Sequence, residues 1–315
     1  MSITRIEIII KPLREVDIPR LLRMNTQWNQ TAEDWQRFIS LAPDGCFKAV
    51  LKKDKVTHIT VGSVSAIEYD NCNIGIDEKK QMKMAWIGML YVDNEYRKQG
   101  IGVRLLKHAI SYLKNKNIGI IKLDATPLGH KLYIQNGFNV ERRLSLISVT
   151  KNDFVLPKLD PNIQGPIKIT RITSEDIING LLDEIYDYDV RKTKLARRNI
   201  LEKLIQDNLK HIFVAKNKSN IVGYIIGRTG RQAFQIGPLI ANNQNIALLL
   251  LNSVIKISDF SSCILAVYDE HKNFIEILKK MGGKTERKYI RMYYGNSNND
   301  YFVDFEWCIS GAEKG

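Results

Sequence analysis

MAWIGMLYVDNEYRKQGIGVRLLKHAISYL, residues Met84 to Leu113, is the stretch that decides the fold of this chain. Ala85 to Val92 is an apolar run of strand length, after which Gly100 and Gly102 let the backbone turn with its amide groups exposed. Helical periodicity begins at once. Gly102, Leu105, Leu106, Ala109, Ile110 and Leu113 form one apolar stripe, while Arg104, Lys107, His108, Ser111 and Lys114 take the opposite side. The stretch therefore reads as a strand, a glycine loop and a surface helix packed on a sheet. A helix whose first turn is glycine-rich and preceded by Arg97, Lys98 and Gln99 is suited to an anion, because unpaired N–H groups meet the positive end of the dipole there. A phosphate group is the natural guest.

The spacing eliminates two familiar phosphate ligands. A dinucleotide fingerprint needs a third glycine where Leu105 stands, and a nucleoside triphosphate loop needs Gly-Lys-Ser/Thr, which is absent. The pattern present is Arg97-x-x-Gly100-x-Gly102, and it resembles the coenzyme A pyrophosphate loop of the GNAT superfamily of N-acetyltransferases, Gln/Arg-x-x-Gly-x-Gly/Ala. A second segment, LDATPLGHKLYIQNGF from Leu123 to Phe138, resembles the same family's strand, turn and Leu-Tyr-x-x-x-Gly-Phe helix. Two motifs in order, one helix and one strand apart, are far more specific than either alone.

Outward from this stretch, Ile6 to Ile10 reads as a strand and Asp17 as the N-cap of a helix through Ile18, Leu21 and Leu22. Thr31 and Asp34 mark a capping box for a second helix, which buries Trp35, Phe38 and Ile39. Phe47 to Leu51 and Val56 to Ile67 are strands joined at Lys52 to Lys55, and Tyr69 to Lys83 is a polar insertion. After the central helix come a strand at Ile120 to Ala125, a short helix ended by Gly137, and a final strand from Phe138 to Val149.

The resemblance implies a chemistry. In this family the fourth and fifth strands splay, and the fourth pairs with the pantetheine arm of acetyl-CoA; here that role falls on Leu90, Tyr91 and Val92. The pyrophosphate falls to the loop Arg97, Lys98, Gln99, Gly100, Ile101 and Gly102. Tyr133 stands at the position of the family's tyrosine acid, and a phenol of pKa about 10 matches a thiol of similar basicity. The base is harder to place. The central strand offers no carboxylate, so Asp124 is the candidate, with His130 beside it and a water relay as the other route. No metal cluster and no serine or cysteine nucleophile motif is evident, so direct transfer to a primary amine is the simplest reading.

Beyond residue 150 the pattern restarts. Residues 151–166, with Pro157, Pro161, Gly165 and Pro166, read as a linker between a catalytic half, 1–150, and a second half, 167–315. The segment GPLIANNQNIALLLLNSVI from Gly237 parallels the central loop and helix at an offset that puts Asn245 at Gly100, Ala247 at Gly102 and Leu278 at Tyr133. The fold class expected is α/β (α+β): two tandem GNAT-like domains, each a mixed, mostly antiparallel twisted sheet flanked by helices, the second degenerate. That second half resembles the acetyltransferase-like domain behind an active one in tandem members, which implies an acceptor-pocket or dimerisation role. The tail FVDFEWCIS, Phe302 to Ser310, reads as a strand that closes a sheet.

Composition sets the remaining bounds. With 47 Lys and Arg against 34 Asp and Glu, the chain of 315 residues carries +13, spread over both halves. Spread charge without a recognisable nucleic-acid module argues against RNA or DNA as the partner, though it would favour a polyanionic cofactor. No apolar run approaches a membrane span, Met1 to Pro12 lacks the layout of a signal peptide, and Cys46, Cys72, Cys263 and Cys308 show no paired framework, which together point to the cytoplasm. An amine acceptor and a second copy of the chain are the partners considered. The competing function is a non-catalytic acyl-CoA-binding regulator.

Overall fold

The computed structural model describes residues 7–52, 58–70, 83–158, 166–295 and 303–315. Residues 53–55 of the join expected at Lys52 to Lys55, the strand ends expected at Ile6, Val56 and Phe302, most of the insertion between Tyr69 and Lys83 with its Cys72, and the linker's Pro161 and Gly165 lie outside the described residues.

In the first half the elements are β1 (Glu7–Pro12), α1 (Ile18–Met24), α2 (Ala32–Leu41), β2 (Cys46–Lys52), β3 (His58–Glu68), β4 (Met84–Val92), α3 (Ile101–Asn115), β5 (Ile120–Ala125), α4 (Pro127–Ile134) and β6 (Asn139–Thr150). This is the order read from the sequence. The Thr31/Asp34 capping box starts α2 as expected, and α3 buries Leu105, Leu106, Ala109, Ile110 and Leu113. Asp17 departs from expectation: it ends a 3-10 turn and makes no side-chain cap to α1. Its carboxylate instead accepts from the Arg14 amide at 2.9 Å and from Lys48 Nζ at 2.5 and 2.7 Å, because a lysine on β2 competes for it.

The second half repeats the series as β7 (Ile167–Arg171), α5 (Ser174–Ile178), α6 (Leu181–Thr193), α7 (Arg198–Asp207), β8 (Ile212–Asn217), β9 (Asn220–Arg228), β10 (Phe234–Ala241), α8 (Gln244–Ile257), β11 (Ser262–Tyr268), α9 (Lys272–Lys280), β12 (Lys284–Gly295) and β13 (Glu306–Cys308).

Among the described residues all strands join one 13-stranded sheet ordered β1-β2-β3-β4-β5-β12-β6-β11-β10-β9-β8-β7, with β13 on β10. The halves exchange strands in the middle. β12 pairs antiparallel with β5 and with β6, and β6 in turn pairs antiparallel with β11. One face of the first half carries α3 and α4 over a core of Ile87, Leu106, Leu123 and Phe138, and the matching face of the second half packs α8 and α9. A third core is shared: Trp35 and Phe38 of α2, Trp86 of β4, Tyr188 of α6, Leu204 of α7 and Tyr268 of β11 belong to one cluster.

Candidate active site

Strands β4 and β5 pair in parallel only at Met84↔Ile120, Ala85↔Ile121 and Trp86↔Lys122. Beyond Trp86 they part, so the fork that the family resemblance implies is present in the backbone. Met89, at φ +52°, interrupts the β3 ladder between Ser63 and Ser65, and Ser63 Oγ donates to its carbonyl at 2.9 Å. Leu90, Tyr91 and Val92 follow along the open side, each half-buried.

At the outer end of the fork, α3 begins at Gly100, whose φ of +77° favours glycine, and no side chain caps the helix. A Cβ on Gly100 would meet nothing within 4 Å, and one on Gly102 only a Val92 methyl at 3.7 Å. The first amides of α3 therefore face open space, a cradle that a side chain would fill. Arg97 turns inward to brace the loop: its Nε donates to the Val92 carbonyl at 3.0 Å and its guanidinium covers the Tyr91 ring at 5.3 Å. Tyr91 is anchored in turn by its hydroxyl, which donates to the Met24 carbonyl at 2.7 Å. Lys98 also takes a positive φ, +61°, while Gln99 and Ile101 complete the turn.

Tyr133 lies on α4, buried against Phe138 at 5.7 Å between ring centroids. Burial alone pushes its phenol up, with no charge or hydrogen bond acting on it. It holds its proton more firmly than a free tyrosine. His130, one turn earlier, has a buried Nε2 without a hydrogen-bond partner.

Asp124 is fully engaged. Arg291 of β12 grips it with Nε and Nη2, both at 2.9 Å, and burial pushes the carboxyl up against that pull. The Arg291 guanidinium lies over Trp86 at 4.6 Å and donates to the Tyr268 hydroxyl. From there a buried chain crosses to the second half: Tyr268 donates to Glu306, Glu306 pairs with Arg197 at 2.9 Å, and Arg197 pairs with Asp189. Arg291 is 167 residues from Asp124, so nothing local in the sequence announces the pair.

The second half carries a corresponding fork with the opposite outcome. Strands β10 and β11 also pair in parallel at three positions, Phe234↔Cys263 to Ile236↔Leu265, and then part. Here β13 fills the gap. Leu239 and Ile240 pair with Cys308 and Glu306, the Ile309 amide donates to the Ala266 carbonyl at 3.0 Å, and Cys308 Sγ donates to the Ile236 carbonyl at 3.0 Å. Helix α8 is closed too, because the Asn243 side chain accepts from the Ile246 amide at 3.0 Å. The tail expected to close a sheet does so through Glu306–Cys308, which occupy this slot.

Among the described residues no group of three His, Cys, Asp or Glu side chains stands close enough to hold a metal ion, and no helix is long and apolar enough to cross a membrane.

Comparison with known proteins agrees with this geometry. The profile described as Acetyltransferase (GNAT) family matches residues 15–138, and a second, described as Acetyltransferase (GNAT) domain, matches residues 185–301. The chain is 22% identical over 270 residues to the holothin acyltransferase of Pseudoalteromonas sp., covering 85% of this chain and 81% of that protein. A Pyrococcus horikoshii structure assigned as an acetyltransferase superposes with a TM-score of 0.73 at 19% identity, over 98% of this chain and 96% of its own. A tandem GNAT protein from the clavulanic acid biosynthesis pathway does so with a TM-score of 0.63 at 12% identity, over 93% and 100%. Each superposition shows the fold. With one profile on each half and relatives along the whole length, the chain belongs to the GNAT acetyltransferases as a tandem member, and it is an acyltransferase.

Proposed function

We propose that the first half transfers an acetyl group from acetyl-CoA directly to a primary amine, and that the second half is a degenerate copy that takes no cofactor. The observation that carries this reading is the contrast between the two forks: one stands open beside an uncapped, glycine-started helix, the other is filled by β13 beside a helix capped by Asn243.

In this reading Leu90, Tyr91 and Val92 offer main-chain groups to the pantetheine arm, and the amides from Gln99 to Gly102 receive the pyrophosphate. Tyr133 gives a proton to the departing sulfur. The holothin acyltransferase relative supports acyl transfer as the reaction type and leaves the length of the acyl chain open. Buried, unpaired Cys46, Cys263 and Cys308 support a reducing compartment such as the cytoplasm for this enzyme.

Calorimetric titration of the full chain with acetyl-CoA tests the first step, with one equivalent expected. Thiol release from acetyl-CoA in the presence of n-butylamine, phenethylamine, glycinamide and a tetrapeptide with a free N-terminus tests the second. Binding without thiol release from any of them would favour the regulator; no binding would remove the proposal.

A further inference from the structure

An amine that arrives as ammonium must lose a proton, and on the β5 side of the fork Asp124 and Glu141 are carboxylates that bear on it. Asp124 has both oxygens occupied by Arg291. Glu141 has one free. It lies at a bulge in β6, where the register with β12 slips between Arg142 and Val140. Its Oε1 accepts from Lys122 Nζ at 2.7 Å, whereas Oε2 is enclosed and has no hydrogen-bond partner. Lys122 is the β5 member of the last β4–β5 pair, so Glu141 stands one side chain from the point where the strands part.

The same carboxylate lines a hollow of about 350 Å³ that both halves build: Glu141, Arg142 and Arg143 on β6, and Asp269, Glu270 and Lys272 at the start of α9. Arg142 Nη1 pairs with Glu270 at 3.0 Å, and its Nε is also buried without a partner. A polar atom left unsatisfied costs about 1–3 kcal/mol. Two of them, on neighbouring side chains that line one hollow, point to a ligand that brings both a donor and an acceptor.

We infer that Glu141 is the proton acceptor for the incoming amine and that this hollow is the amine's entrance, an inference that rests on the acyl-transfer reading above. Glu141 Oε2 takes one proton from the ammonium, the freed lone pair forms the C–N bond to the thioester carbon, and the C–S bond breaks with its electron pair on sulfur. Tyr133 protonates that sulfur and regains a proton from the same nitrogen as it becomes an amide. The proton on Glu141 leaves to solvent, one per turnover. The charged groups around Glu141 are Lys122 on β5, Asp124 beyond it, Arg291 on β12, Arg142 and Arg143 on its own strand, and Asp269, Glu270 and Lys272 across the hollow.

Glu141→Gln in the full chain tests this, since glutamine keeps the volume and still accepts from Lys122. Acetyl-CoA affinity by calorimetry should stay within about twofold, while kcat/KM for the best amine of the four above should fall about 100-fold at pH 7. The variant's kcat/KM should then climb roughly tenfold per pH unit from 6 to 9 as free amine accumulates, against a flat wild-type profile. Parallel profiles less than threefold apart would overturn the role of Glu141 while leaving acyl transfer intact. A wild type that binds no acetyl-CoA, or releases no thiol with any amine, would remove both readings. If Glu141→Gln loses acetyl-CoA binding, Glu141→Asp decides: a pH-independent loss of about tenfold supports the role and full activity overturns it.

Discussion

In the proposed reaction single side chains divide the open fork between binding and proton transfer. At Gly102 the space that would receive a Cβ is the space before the helix amides, so Gly102→Glu puts a carboxylate where an anion belongs. It should abolish acetyl-CoA binding by calorimetry while the thermal midpoint shifts by no more than a few degrees; unchanged affinity would show that the loop holds no phosphate. Tyr133 acts on the other end of the proposed reaction. Tyr133→Phe should reduce kcat about 100-fold with acetyl-CoA affinity within twofold. The sign of its pKa shift adds a pH test: burial raises the phenol above its ordinary value near 10, so the acid stays protonated and no alkaline limb in kcat should arise from it below pH 10. A limb near pH 8 that vanishes in Tyr133→Phe would contradict that environment.

At the level of elements, the two forks share geometry and differ in what lies between the strands. Each opens after three parallel pairs, and only the second contains β13. Titration of the full chain should therefore reach one acetyl-CoA per chain, and Asn243→Gly should not add a second, because uncapping α8 leaves the slot occupied; two equivalents would mean β13 yields to ligand. Much of this was legible in the sequence. Strand, glycine loop and striped helix announce themselves because 3.6-residue periodicity and glycine conformation are local properties. The capping box at Thr31 is local in the same way. The slot filled by β13 was not, since β-character in a tail says nothing about which edge it joins. Nor were Arg291 and Glu141: one meets Asp124 across 167 residues, and the other gains its position from a bulge set by a strand of the other half.

Across the whole molecule, strand exchange makes each half structurally dependent on the other. Arg291 belongs to the second half by sequence and to the first by location, where it is the ion-pair partner of a fully buried carboxylate. Arg291→Met should destabilise the full chain by about 3–5 kcal/mol in denaturant unfolding, because it strands the Asp124 charge in the core. A loss under 1 kcal/mol would show that the pair is dispensable. The exchange also bears on synthesis. Since β12 stands between β5 and β6, a nascent chain that has made every residue of the open fork still lacks the strand on which β5 leans. Translation must run 170 residues past β5, to the end of β12, before that sheet can close. A chain broken off between the halves thus carries the whole glycine loop while β5 stays bare along one edge, so the making of β12 is the step that completes the sheet around the fork.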